Sequence, residues 1–155
     1  MSSPFRRILG LDVGSKGIGV AVSDPLGITA QGLTLLPRRD PQRDLAELRK
    51  LVDQYDVGEI AVGLPRNMDG SIGFQAQAVQ EFVAQLQQAI PVEVALVDER
   101  LTTVEATRRL QEMNVRREKR KQIIDQQAAV IILQTYLQQR ENRQRRRAPP
   151  DAPQV

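Results

Sequence analysis

The chain has no cysteine, no histidine and no tryptophan among its 155 residues. Without cysteine there is no disulfide framework, no thiol nucleophile and no cysteine–zinc site. Without histidine there is no Ser-His-Asp triad, no imidazole base and little basis for a zinc or copper centre. Aromatics are scarce, being Phe5, Phe74, Phe82, Tyr55 and Tyr136, so no stacking platform for single strands is expected. No apolar run approaches the ~18 residues that a membrane-spanning helix needs. Residues 1–7 lead directly into a strand pattern with no signal-peptide core, and the expected location is the cytoplasm.

What is present fits one domain, long enough to bury about 70% of its unfolded surface. The net charge is +3, and its distribution says more than its size. Residues 138–155 carry Arg140, Arg143, Arg145, Arg146 and Arg147 against Glu141 and Asp151, while the rest of the chain is balanced. Within that neutral body Arg116, Arg117, Lys119, Arg120 and Lys121 form a local basic cluster broken only by Glu118. A polyanionic partner, nucleic acid, is the expectation; a solvated helix face is the competing explanation.

Short runs rich in Ile, Leu and Val predict strands over residues 6–13, 17–23 and 30–36. Turns at Gly14-Ser15-Lys16 and Asp24-Pro25-Leu26-Gly27 make these an antiparallel meander. Asp40-Pro41 then starts a helix with Leu45, Leu48, Leu51 and Val52 at helical spacing. Strands over 60–64 and 92–97 flank a helix over 72–89. A further helix capped by Thr102 or Thr103 runs to about Met113, with Thr102 and Glu105 at capping-box spacing. After the basic stretch, read as a mobile loop, comes a last helix over roughly 121–139. The order β-β-β-α-β-α-β-α-α predicts an α/β fold. Its five-stranded mixed sheet, a three-stranded antiparallel meander plus two parallel strands, has the first strand central and helices on its flanks. The domain is expected over 1–139, and a basic, Pro-rich, disordered tail over 140–155. The helix stripes are consumed in covering the sheet, so a monomer is expected.

Sites in such sheets form at the carboxyl ends of parallel strands. Asp12 ends the first strand and Asp98-Glu99 follows the last, so the 86 residues between Asp12 and Glu99 need not separate them in space. Asp125 shares a helix face with Ala129, Ile132 and Tyr136, an acid on an otherwise apolar stripe. Each acid also has a bland explanation: a turn former at Asp12, pairing with Arg100 at Asp98 or Glu99, a helix-dipole contact at Asp125. Together, with no His or Cys, three carboxylates point to a hard cation, Mg²⁺ or Mn²⁺, and to phosphodiester chemistry.

Five stretches carry a family resemblance. They are Leu9-Gly-Leu-Asp-Val-Gly-Ser-Lys16, Ile18-Gly-Val-Ala-Val-Ser-Asp24, Val62-Gly-Leu-Pro-Arg-Asn-Met-Asp-Gly70, Val97-Asp-Glu-Arg-Leu-Thr-Thr-Val-Glu-Ala106 and Ile124-Asp-Gln-Gln-Ala-Ala129. With them the chain resembles the YqgF, or RuvX-like, family of pre-16S rRNA nucleases and Holliday-junction-resolvase-like proteins. The resemblance implies an RNase H-like fold with Asp12, Glu99 and Asp125 as catalytic, metal-binding acids; between Asp98 and Glu99 the favoured ligand is Glu99. It implies a metal-dependent endonuclease acting on structured RNA, with 5′-end maturation of pre-16S rRNA and ribosome biogenesis as its setting. Branched DNA is the alternative substrate, and a non-catalytic RNA-binding assembly factor the further one. Gly17 departs from the family pattern, which more often has a larger, basic residue there. Lys16, Arg66, Asn67, Arg100, Arg116, Arg117, Lys119, Arg120 and Lys121 are the candidate substrate contacts, with a turn built on Pro65 and Gly70 as the plain alternative for Arg66 and Asn67.

Overall fold

The apolar runs of the first half become strands, and the periodic leucines become helices. The computed structural model describes the backbone of residues 6–104 and 117–147, and side chains over 6–104 and 126–146. Strands β1 (Arg7–Val13), β2 (Gly17–Ser23) and β3 (Ala30–Pro37) form the antiparallel meander. Helix α1 (Pro41–Gln54), strand β4 (Val57–Leu64), helix α2 (Phe74–Ala89), strand β5 (Glu93–Asp98) and helix α3 (Arg117–Arg147) follow. The sheet order is β3-β2-β1-β4-β5, with β4 parallel to β1 and β5 parallel to β4. This is the expected five-stranded mixed sheet with the first strand in the middle.

A central strand has no solvent face, which is why β1 reads as a continuous apolar run rather than an alternating one. Leu9 and Leu11 face a cluster completed by Leu48 and Val52 of α1 and by Val79, Phe82 and Leu86 of α2. Ile8 faces a second cluster with Ala129, Ile132, Leu133 and Tyr136 of α3. Helix α1 begins as its sequence dictates. The Asp40 side chain accepts a hydrogen bond from the Arg43 backbone N–H at 2.9 Å, and Pro41 occupies the first turn, where its missing N–H costs nothing.

Helix α3 is longer at both ends than the pattern suggests. Arg117, Lys119, Arg120 and Lys121 lie in its first turns rather than in a loop, and residues 140–147, expected to belong to a disordered tail, continue the helix. Between 117 and 147 there is neither glycine nor proline, and Arg, Lys, Gln and Glu are good helix formers. Glu141 pairs with Arg145 one turn later at 2.8 Å, a further local contribution. Arg116, residues 148–155 and nearly all of the helix expected over 103–113 lie outside the described residues; Val104 is helical.

Glycine sets how closely α3 meets the sheet. A Cβ on Gly10 would stand 2.7 Å from Leu133 Cβ and 2.9 Å from the Ala129 carbonyl oxygen, so helix and strand backbones touch there. Lower on the same face, Ile8 and Leu137 meet near Gly27. The helix therefore runs with residue 137 toward the start of β1 and residue 129 toward its middle. The turn before Ala129, which includes Asp125, is carried toward the end of β1 where Asp12 lies. We expect Gly10→Ala to destabilise the protein by about 1–3 kcal/mol through overpacking, read as a fall in the urea midpoint at unchanged slope; an unchanged midpoint would show that the helix can shift freely.

Candidate active site

Pairing register puts one residue of each parallel strand on a common level. Leu11 pairs with Val62, so Asp12 comes level with Gly63, which itself pairs with Val97. Asp12 is only 6% exposed, two residues on from Gly10 and thus on the α3 face of the sheet. A Cβ on Gly63 would lie 2.7 Å from Glu99 Oε1 and 2.4 Å from Ile132 Cδ1. The absence of a side chain at Gly63 is therefore what allows the Glu99 carboxylate to lie over β4, beside the strand that carries Asp12. Asp12, Lys16 and Glu99 line one cleft of about 210 Å³, together with Gly14, Gly63, Pro65 and Gln75.

The turn that follows Asp12 is held from outside. Gly14 N–H donates to the Gly17 carbonyl at 2.9 Å and closes it. Arg38, just past β3, grips both sides: its backbone N–H donates to the Lys16 carbonyl and its guanidinium to the Gly14 carbonyl, each at 2.9 Å. The same guanidinium donates through Nε to Asp44 Oδ2 at 2.9 Å and lies over the Phe82 ring, 5.2 Å from its centroid. Asp44, 4% exposed in the first turn of α1, also accepts the Arg39 N–H at 3.0 Å. Charge-assisted bonds of this kind are stronger than neutral ones, and burial of one partner makes its loss costly.

Asp98 and Glu99 are adjacent in sequence but differ in surroundings. Asp98 accepts from the Arg100 backbone at 2.9 Å and from the Arg100 guanidinium at 2.7–3.1 Å, with Arg66 at 3.5 Å. The hydrogen bond from Arg100 and its positive charge hold the Asp98 carboxyl below the ordinary carboxylate range, against a smaller opposing effect of burial. Glu99 opens a 3₁₀ turn, Glu99–Leu101, whose carbonyl is fastened by the Thr102 hydroxyl at 2.7 Å and the Thr102 N–H at 3.1 Å. Thr102 also accepts from the Val104 N–H at 3.3 Å, as a helix N-cap would.

Arg66 donates twice to the Gly70 carbonyl, at 3.0 and 2.6 Å, and Asn67 donates to the Ser71 hydroxyl at 2.9 Å; both serve their own loop. Arg100 is committed to Asp98. Arg117, Lys119, Arg120, Lys121 and Asp125 lie on α3 with side chains outside the described residues, and Arg116 lies outside altogether. Among the described residues no three acids gather into a metal-holding group. Sequence reasoning missed Gln75 and Gly63 in the cleft and the Arg38–Asp44 clamp. Gly63 was detectable, since glycine inside a strand marks a close approach; Gln75 sits on a helix read only for its apolar stripe.

The sheet order and flanking helices are those of an RNase H-like fold, with two carboxylates meeting at its strand ends. A family model described as "RuvX: Holliday junction resolvase" matches residues 6–139, and the chain belongs to that family. It is 57% identical over 119 residues to a protein of Moorella thermoacetica named "Putative pre-16S rRNA nuclease", covering 77% of this chain and 85% of that one. A protein of the same name in Clostridium acetobutylicum is 51% identical over 119 residues, 77% of this chain and 88% of that one. Among solved structures, T. thermophilus RuvC in complex with a Holliday junction substrate matches with a TM-score of 0.55 at 14% identity. That match covers 88% of this chain and 96% of RuvC. A second Thermus thermophilus RuvC structure gives 0.51 at 12%. These likenesses define the fold.

Two measurements test the site's construction. Asp44→Ala should cost about 3 kcal/mol, because it leaves Arg38 half-buried without its carboxylate; equilibrium denaturation reads this, and a loss within experimental error would make the clamp incidental. For Asp98 the folded value is depressed, so its ion pairs contribute above the unfolded carboxyl value and are lost as pH falls through the lower folded one. Carboxyl ¹³C NMR should show Asp98 titrating below the ordinary aspartate value and moving up toward it in Arg100→Ala. An ordinary midpoint in the wild type would break the assignment.

Proposed function

We propose that this protein is a metal-dependent endonuclease that hydrolyses phosphodiester bonds in structured RNA, with 5′-end maturation of pre-16S rRNA as its reaction. The observation that carries this reading is the meeting of Asp12 and Glu99 in one strand-end cleft, in a family whose relatives bear that nuclease name. The donor set suits a hard cation: the acids in the cleft offer only oxygen, and Gly63 leaves the Glu99 carboxylate the room it occupies. Asp12, Glu99 and Asp125 would hold Mg²⁺ or Mn²⁺. Such ions, when bound, activate water and stabilise the departing oxygen of a phosphodiester. Asp12 and Glu99 orient from fixed backbone, a strand end and a capped turn, so little of their geometry has to be assembled on binding. Lys16, on the cleft wall, meets a substrate phosphate. The basic residues that open α3 and its arginine-rich end draw in the nucleic-acid backbone without reading sequence.

Among the described residues no helix is long and apolar enough to cross a membrane. A cytoplasmic monomer is part of the proposal. The apolar positions of α1 and α2, including Leu48, Val52, Val79, Phe82 and Leu86, are buried against the sheet, leaving those stripes unavailable to a second copy. The family description favours a second reading, a Holliday junction resolvase. That activity calls for two sites related by two-fold symmetry and hence a dimer on its substrate.

The decisive experiment offers purified protein a 16S precursor and a four-way DNA junction in parallel, with Mg²⁺ or Mn²⁺. Cleavage of the precursor is expected. Asp12→Asn and Glu99→Gln should each lower it by about 100-fold or more with melting temperature nearly unchanged, since each removes a charge that holds the cation. Asp98→Asn should be milder. Paired symmetric nicks in the junction by a two-to-one complex, with the precursor untouched, would replace the RNA reading by the resolvase one. Full activity in well-folded Asp12→Asn would remove the metal-ligand assignment.

A further inference from the structure

Large apolar side chains left in water are worth locating. Among the described residues six are exposed, and three of them, Phe74 at 91%, Met68 at 89% and Leu101 at 67%, stand on the segments that leave the carboxyl ends of β4 and β5. That is the end of the sheet where Asp12 and Glu99 lie. Single exposed apolar residues need no explanation, but a group beside a cleft marks a binding surface.

The loop between β4 and α2 holds two of them in place. Gly70 N–H donates to the Asn67 carbonyl at 2.8 Å, closing a turn with Met68 at its tip, and the chain leaves that turn through Gly70 at a positive φ of 89°, which glycine adopts without strain. Asn67 N–H donates to the Ser71 carbonyl at 3.1 Å, the Ser71 N–H and hydroxyl donate to Asp69 Oδ1 at 2.9 and 2.6 Å, and Arg66 is bonded to the Gly70 carbonyl. The loop thus spends its polar groups on itself and presents an apolar tip. The Asn67 carboxamide also lies 3.3 Å from where a Gly73 Cβ would be, so residue 67 abuts residue 73. Met68 and Phe74 each follow one of these two residues in the chain, and Gln75, next after Phe74, lines the cleft of Asp12 and Glu99.

We propose that Phe74, with Met68 on the loop before it, is a stacking platform for one unpaired nucleobase of the substrate, next to the phosphate at the carboxylates. The inference rests on the nuclease reading and narrows its substrate to nucleic acid with an unpaired or extruded nucleotide at the cleavage position. A base offers a flat apolar face to Phe74, while its flanking phosphates are anions suited to Lys16. Bases inside a duplex keep their faces stacked on each other, so a protein ring can take only one that is unpaired or flipped out. The low aromatic count of the chain is no obstacle, because one ring placed at the cleft is sufficient. A protein partner fits less well, since among the described residues only three large exposed apolar side chains stand on the segments leaving this end of the sheet, near a cleft lined by Asp12, Lys16 and Glu99.

The test needs no cleavage. Full-length protein in EDTA is titrated with two RNA duplexes of equal length, one fully paired and one carrying a single bulged 2-aminopurine. Wild-type protein should quench the bulged probe and bind it about tenfold more tightly than the paired one, the range expected for one base stacked on an aromatic ring. Phe74→Ala should abolish both the quench and the preference while leaving paired-duplex affinity within about twofold; Phe74→Tyr should retain both, and Met68→Ala should lose part. Phe74 is almost wholly exposed, so its variants should melt with the wild type. An undiminished preference in Phe74→Ala, an equal loss on both probes, or no preference in the wild type would overturn the platform. Quenching that depends on Phe74, in a protein that cuts neither precursor nor junction, would support the platform and remove the nuclease reading. Cutting that is indifferent to Phe74 would do the reverse.

Discussion

Helix α3 lies directly on the backbone of the sheet, and much else follows from that closeness. At Gly10 the helix has no side chain to rest on, so Leu133 and Ala129 settle against the strand itself. At Gly63 the space is shared by Ile132 and the carboxylate of Glu99. A β-carbon at Gly10 would press on the helix backbone, and one at Gly63 on the Ile132 side chain and the Glu99 carboxylate. Packing density and site geometry are therefore one constraint, because a close-packed interior transmits a displacement instead of absorbing it. Two glycines in the middle of strands, ordinarily a weakness in a sheet, are the condition for this arrangement.

Much of the fold is legible in the sequence. β2 spans Gly17–Ser23 as its apolar run suggests, the Asp40-Pro41 start of α1 has its cap in place, and the central position of β1 follows from an uninterrupted apolar run with helix-linked strands after it. These features are local: each depends on the period of a short segment or the chemistry of one turn. The extent of α3 was harder to read, because polar helix formers look alike whether they continue a helix or trail from it. Gln, Arg and Glu over residues 138–147 fit both descriptions, and only the missing breaker distinguishes them.

Within the cleft the illegible parts are those that depend on neighbours distant in sequence. Asp98 and Glu99 are two carboxylates at one strand end, and no pattern tells which will face inward. The neighbourhood decides: Arg100 and Arg66 draw Asp98 aside, and the Thr102-capped turn leaves Glu99 over Gly63. Arg66 and Asn67 show the converse. Their chemistry suits a phosphate, yet the turn around Gly70 uses both internally. A polar side chain in a tight loop has the backbone as a standing competitor for its hydrogen bonds.

The grip of Arg38 on the turn after Asp12 has a consequence for motion. Three-residue turns between strands are ordinarily among the first parts of a protein to open. Here both flanking carbonyls, of Gly14 and Lys16, are fastened to a residue whose guanidinium is anchored in the first turn of α1. The turn cannot swing out unless the start of α1 frays with it, so the two share one cooperative unit of opening. The end of β1 consequently keeps its shape between encounters with substrate, and association there forfeits little chain entropy.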